Sequence, residues 1–160
     1  AYIGKLIAFR KAHPILSSIQ PKELSDYRHM GLPDLSYHDR EPWTPWLTDD
    51  RKSIGILYCG EYSSSDNKDD IYLCFNFYFE EVEFALPTLL NGKKWHYLTN
   101  TCIADWNESK DPLEKQDCIL VPGGSLTVLL GKKDPKASKD LKDSKKGIKK
   151  LVRNGRNNAR

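Results

Sequence analysis

No apolar run in these 160 residues approaches the roughly 20 that cross a bilayer as a helix, which excludes a helical membrane anchor within them. The first residues show none of the basic, apolar, small-residue order of a secretory leader, and the chain reads as cytoplasmic. Its four cysteines, Cys59, Cys74, Cys102 and Cys118, never fall in the C-x-x-C spacing of zinc or redox sites. They lie in or beside apolar and aromatic runs and read as buried free thiols. No metal and no cofactor is implied. Between Ser53 and Leu130 nothing carries a convincing helical period, so that stretch excludes a helical bundle.

What is present is unevenly charged. From Gly131 to Arg160 there are 12 Lys/Arg and 3 Asp/Glu, a net of +9. Residues 1–130 hold 13 basic and 19 acidic residues, a net of −6. An acidic body thus precedes a strongly basic tail. The tail is Lys-rich and poor in large apolar residues, and it reads as disordered.

Four segments follow in order. In residues 1–16, Ile3, Leu6, Ile7 and Phe9 keep helical spacing, and His13-Pro14 stops the helix because proline disfavours helical geometry just before it. About 12 residues are too few for a helix stable alone, so its stripe needs a partner surface. Residues 17–52, with "GLPDLSYHDREPWTPWLTDDRK", have no regular period and read as a long, ordered, aromatic and proline-rich loop. Residues 53–130 hold six short runs with strand character, separated by Asn-Gly, Pro-Gly-Gly and polar loops. They predict an all-β antiparallel sandwich. Residues 131–160 are the basic tail.

In "IYLCFNFYF" the alternation sets Ile71, Leu73, Phe75, Phe77 and Phe79 on one face, and that stripe is expected to meet a second sheet. It is not a base-stacking platform. Such platforms sit among basic and Gly-rich positions, whereas Asp69, Asp70, Glu80, Glu81 and Glu83 flank this strand.

These residues resemble a known family. "LIAFRKAHPIL" is similar to the last helix of the catalytic barrel in α-amylase-type glycoside hydrolases of the isoamylase and glycogen-debranching branch. "GLPDLSYHDREPWTPWL" resembles the segment joining that barrel to a C-terminal domain. The runs N-x-x-x-E-x-x-x-F-x-L-P from Asn76 and P-x-x-S-L-x-V-L-L from Pro122 resemble its β-sandwich, and the likeness covers about Ala1 to Leu130. The resemblance implies a sandwich of the α-amylase C-terminal type, preceded by one helix of a truncated (β/α)8 barrel whose remainder is missing. It also implies a parent enzyme hydrolysing α-1,6 branch points of glycogen, starch or limit dextrin.

Retaining glycosidases use two carboxyl groups about 5–5.5 Å apart, on loops at the C-terminal face of the barrel strands. The resemblance places the nucleophile in an Arg-x-Asp setting, and this sequence has none. His38-Asp39 lies after the barrel helix and reads as a solvated loop pair. Glu80, Glu81 and Glu83 read as an exposed edge. No catalytic residue is assigned, and the chain alone is expected to be inactive.

Tyr37, His38, Trp43 and Trp46 are the candidate sugar contacts, since pyranose rings stack on aromatic faces. The opposing reading has the tryptophans plugging the seam between barrel and sandwich. The alternative function is a noncatalytic carbohydrate-binding or polyanion-binding module, the latter through the tail. Nucleic acid and membrane are not expected partners.

Overall fold

In the computed structural model, residues 1–44, 51–107 and 111–133 are described. Helix α1 (Tyr2–Ala12) leads into a 3-10 turn at Pro14–Ser17. Among the described residues seven strands follow: β1 (Leu35–His38), β2 (Ser53–Tyr58), β3 (Asp70–Asn76), β4 (Val82–Ala85), β5 (Lys93–Asn100), β6 (Cys118–Val121) and β7 (Ser125–Lys133). All pairings are antiparallel, in a five-stranded sheet β1-β2-β3-β7-β5 and a two-stranded sheet β4-β6. The antiparallel sandwich expected from strand spacing is therefore the observed fold. Two boundaries differ: β1 lies inside the stretch read as loop, and β7 runs past Leu130 to Lys133.

The inward face of the large sheet reverses the expectation for β3. Tyr72 and Cys74 point toward the small sheet and pack with Leu57, Trp95, Leu129, Phe84 and Val121. Phe77 and Phe79 are instead 66% and 88% exposed, and Phe75 stacks on Phe77. Both faces of this strand are apolar, so alternation alone cannot choose between them. The choice follows hydrogen bonding. Strand β3 ends at Asn76, whose buried Nδ2 donates to the carbonyls of Glu80 (2.8 Å) and Val121 (2.9 Å), while its Oδ1 accepts from Tyr78 N (2.9 Å). Past Asn76 single backbone bonds continue, Phe77 N to Lys52 O and Gly124 N to Tyr78 O (both 2.7 Å), while the Phe77 and Phe79 rings lie exposed. Tyr72 likewise donates to Ala85 O (3.1 Å), satisfying its buried hydroxyl across the sheets.

Gly55 makes this arrangement possible. It sits opposite Cys74, and a Cβ there would lie 2.1 Å from the Tyr72 hydroxyl oxygen. The outer face carries a second cluster of Ile71, Leu98, Val128 and Leu130, covered by Ile15, Leu32, Phe9 and Trp106. Helix α1 has no fully buried residue. It touches this face through Phe9 and through the Tyr2 hydroxyl, 2.9 Å from Thr99 Oγ1. Ile3 (69%) and Ile7 (53%) face away.

Both sheet edges are protected. At β5, the Gln116 side-chain amide accepts from Trp95 N (2.7 Å) and donates to Trp95 O (3.1 Å). At β1, Thr44 N donates to Tyr37 O (3.0 Å). Of the cysteines, Cys59 and Cys74 are buried as expected, Cys118 is half-buried, and Cys102 is exposed in the turn after β5; all four are free.

Candidate functional site

Strand β1 begins the site. Its alternation turns Leu35 and Tyr37 to one side and Ser36 and His38 to the other, with His38 opposite Gly55. His38 is fully buried, with Tyr72, whose hydroxyl end lies over Gly55, edge-on at 5.7 Å. The His38-Asp39 pair is thus not the solvated loop pair expected from sequence. The strand carries His38 into the sandwich, while Asp39 accepts from Ser53 Oγ (2.6 Å) and faces Arg51 Nε at 3.7 Å.

The His38 tautomer follows from its neighbours. Trp43 N–H, which can only donate, lies 2.8 Å from Nδ1. Nδ1 must therefore be unprotonated, and in the neutral ring the proton sits on Nε2, 2.8 Å from Ser36 Oγ. Burial agrees with this, lowering the His38 pKa to about 4. A neutral ring with both nitrogens occupied holds the loop in place and has no free nitrogen for acid–base work.

Trp43 is the loop's outlier. Its φ is 60°, in the left-handed region that bulky residues avoid at a cost of roughly 1–2 kcal/mol. Its indole is nonetheless 47% exposed. Tyr37, Ser36, Leu35 and Trp43, with Leu24 and Pro33, line a cleft of about 380 Å³, at the lower end of the ~300–1,000 Å³ of small-molecule sites. The structure thus brings Tyr37 and Trp43 to one cleft, with His38 beneath as the anchor. Trp46 lies outside the described residues. Sequence reasoning missed Leu24, Pro33 and Ser36; the only available signal was the two-residue spacing of Ser36 and His38 on one strand face.

A second polar cluster also escaped the sequence. Buried Lys93 Nζ lies 3.0 Å from Asp70 Oδ2 and 3.2 Å from Glu61 Oε1, and it donates to Lys68 O (2.6 Å). Asp70 also accepts from Gly60 N (2.7 Å). Burial raises the Asp70 pKa, against the lowering by Lys93. The Glu61 and Asp70 carboxylates thus share one ammonium, and Asp70 alone has the backbone amide, a structural arrangement. Glu80, Glu81 and Glu83 are exposed, as expected of an edge. Among the described residues no three His, Cys, Asp or Glu side chains cluster as metal ligands, and no helix is long and apolar enough to cross a membrane.

Comparison with known proteins agrees with this architecture. A family model described as "Isoamylase, C-terminal" matches residues 41–129, more than half of the chain. The isoamylases of Pseudomonas amyloderamosa and Pseudomonas sp. (strain SMP1) are each 32% identical to it over 129 residues, covering 79% of this chain and 15% of their own length. The isoamylase of Flavobacterium sp. is 27% identical over 139 residues, covering 79% of this chain and 16% of its own. The chain therefore spans about one sixth of the length of these relatives. With its paired antiparallel sheets and the stapled Asn76, Phe84 and Pro122 positions inside the matched stretch, the chain belongs to the isoamylase C-terminal domain family.

Proposed function

We propose that this chain is the noncatalytic C-terminal sandwich of a debranching glycoside hydrolase, one that cleaves α-1,6 linkages in glycogen, starch or limit dextrin. The observation that carries the reading is the coincidence of the family match, residues 41–129, with the two-sheet fold. The side-chain chemistry supports it. Retaining hydrolysis needs two carboxyl groups facing a cleft, whereas Asp26, Asp34, Asp70 and Asp105 each accept backbone N–H groups. The outward Ile3 and Ile7 suit a helix that packs into a larger body. In this reading that body is the catalytic barrel, and the sandwich supports its flank. The four free thiols favour a reducing, cytoplasmic setting.

The test exchanges the corresponding C-terminal part of the Pseudomonas amyloderamosa isoamylase for this chain. The chimera is expected to release reducing ends from amylopectin, and the isolated chain to release none. A folded but inactive chimera, or hydrolysis by the isolated chain, overturns the proposal.

A further inference from the structure

We infer that the cleft beside edge strand β1 is a stacking subsite for a glucosyl unit of an α-glucan, with Trp43 and Tyr37 as its contacts and His38 as the positioning residue. The α-glucan identity rests on the debranching reading; the subsite itself rests on geometry.

Three observations point to a ligand. Trp43 adopts a backbone conformation that bulky residues avoid, and strain of this kind persists where the surroundings impose it. Here the imposition is explicit. Trp43 N is held by buried His38, the next peptide N–H is held by Tyr37 O, and Thr44 Oγ1 donates to Glu41 O (2.7 Å). Yet the constrained indole is left about half in solvent, so its own burial in this chain is not what the constraint achieves.

The lining also selects the ligand. Among the described residues the lining holds no charged side chain, and the side-chain polar groups on the Tyr37 and Trp43 side are a phenol hydroxyl and an indole N–H. A charged ligand would find no countercharge among the described lining residues. A neutral ring with an apolar face and a hydroxyl rim finds both an aromatic wall and polar partners, the Tyr37 hydroxyl and the Trp43 indole N–H. The tautomer fixed by Trp43 N–H makes His38 Nε2–H the donor to Ser36 Oγ, so the buried ring is tied at one nitrogen to the Trp43 backbone and at the other to strand β1. A hydrogen-bonded line therefore runs from the Trp43 backbone through His38 to the cleft wall.

The experiment is titration of the whole chain with maltoheptaose, followed by Trp fluorescence and by amide chemical shifts of residues 36–44, with cellohexaose as comparator. Saturable binding of maltoheptaose is expected below about 10 mM, with shifts confined to the cleft. Trp43→Ala is expected to weaken it about tenfold and Tyr37→Phe severalfold. His38→Asn keeps an acceptor near Trp43 N–H and is expected to retain binding, whereas His38→Ala, checked for folding by circular dichroism, is expected to lose it. Absence of saturation in the wild-type chain, equal binding of cellohexaose, or a folded Trp43→Ala chain that binds normally overturns the inference. Should Trp43→Ala not fold, Trp43→Leu and the wild-type shift map decide it. An active chimera with a cleft that does not bind overturns the subsite alone. A binding cleft with an inactive chimera overturns the debranching reading alone.

Discussion

The two faces of the five-stranded sheet are finished to different degrees. The inner face is sealed by the chain itself: Tyr72, Trp95, Phe84, Leu129 and Val121 are almost wholly buried, and their polar atoms find partners across the sheets. The outer face is graded. Its row Ile71–Leu130 is closed beneath the Pro14–Ser17 turn and its neighbours, the row Leu73–Val128 is partly covered, and Phe75 and Leu126 lie half open beside exposed Phe77. Where both layers come from one segment of chain the core is complete. Where cover comes from a short helix with no buried residue, it is thin.

The contrast can be broken most forcefully from the inner side. Phe84→Ala removes a fully buried ring between the sheets and should cost about 3–5 kcal/mol, read as a lowered denaturant midpoint with unchanged m-value. Lys93→Ala at the rim of that face leaves Asp70 and Glu61 without their cation. It should cost a similar ~3–5 kcal/mol. The double change Lys93→Met with Asp70→Asn should recover part of the loss, which would separate uncompensated charge from lost packing.

Acid should act on the same face through His38. Its pKa is depressed in the fold from an ordinary 6.5 to about 4, so the unfolded chain binds more protons between those values. The contribution is present above pH 6.5 and is lost as pH falls toward 4, by up to about 3 kcal/mol. His38→Asn should flatten that part of the stability profile in pH-dependent chemical denaturation. An unchanged profile would show that other groups set the acid limit.

The outer face should respond less. Phe9→Ala trims a half-buried ring and should cost about 1–2 kcal/mol, with loss of hydrogen-exchange protection confined to α1 and its contacts. Ile7→Ser, on the side of α1 turned away from the sheet, should move stability by no more than ~0.5 kcal/mol. If it cost as much as Phe9→Ala, the distinction between the two sides of α1 would fail.

Much of this was legible in the sequence, for reasons visible in particular residues. The helix and its stop at His13-Pro14, the Asn-Gly turn at Asn91-Gly92 and the strands β2, β3, β5 and β7 all carry local signals that tertiary structure left intact. Strand β1 was hidden because four residues amid prolines show no period. The orientation of β3 was hidden because Phe75 and Phe77 are more hydrophobic than Tyr72 and Asn76, yet only the latter can bond across the sheets. Tyr37, His38 and Trp43 stood out in the sequence by residue type, but the burial of His38 beside Tyr72 depends on Gly55, across the ladder, leaving room for that tyrosine. No reading along the chain exposes that opposition. Trp46 and the basic tail beyond Lys133 lie outside the described residues.

The strand order has a temporal consequence. Among the described residues strand β5 pairs within its sheet only with β7, and β3 relies on the same strand for its second neighbour. As the chain leaves the ribosome, β5 has no sheet partner until residues 125–133 follow it. The interval exposes an unpaired, Trp-bearing strand, which is a template for pairing with another nascent chain. A termination codon anywhere between Asn100 and Ser125 would leave two open edges where a mere edge strand would leave one. Closure of the large sheet during synthesis should therefore wait for β7.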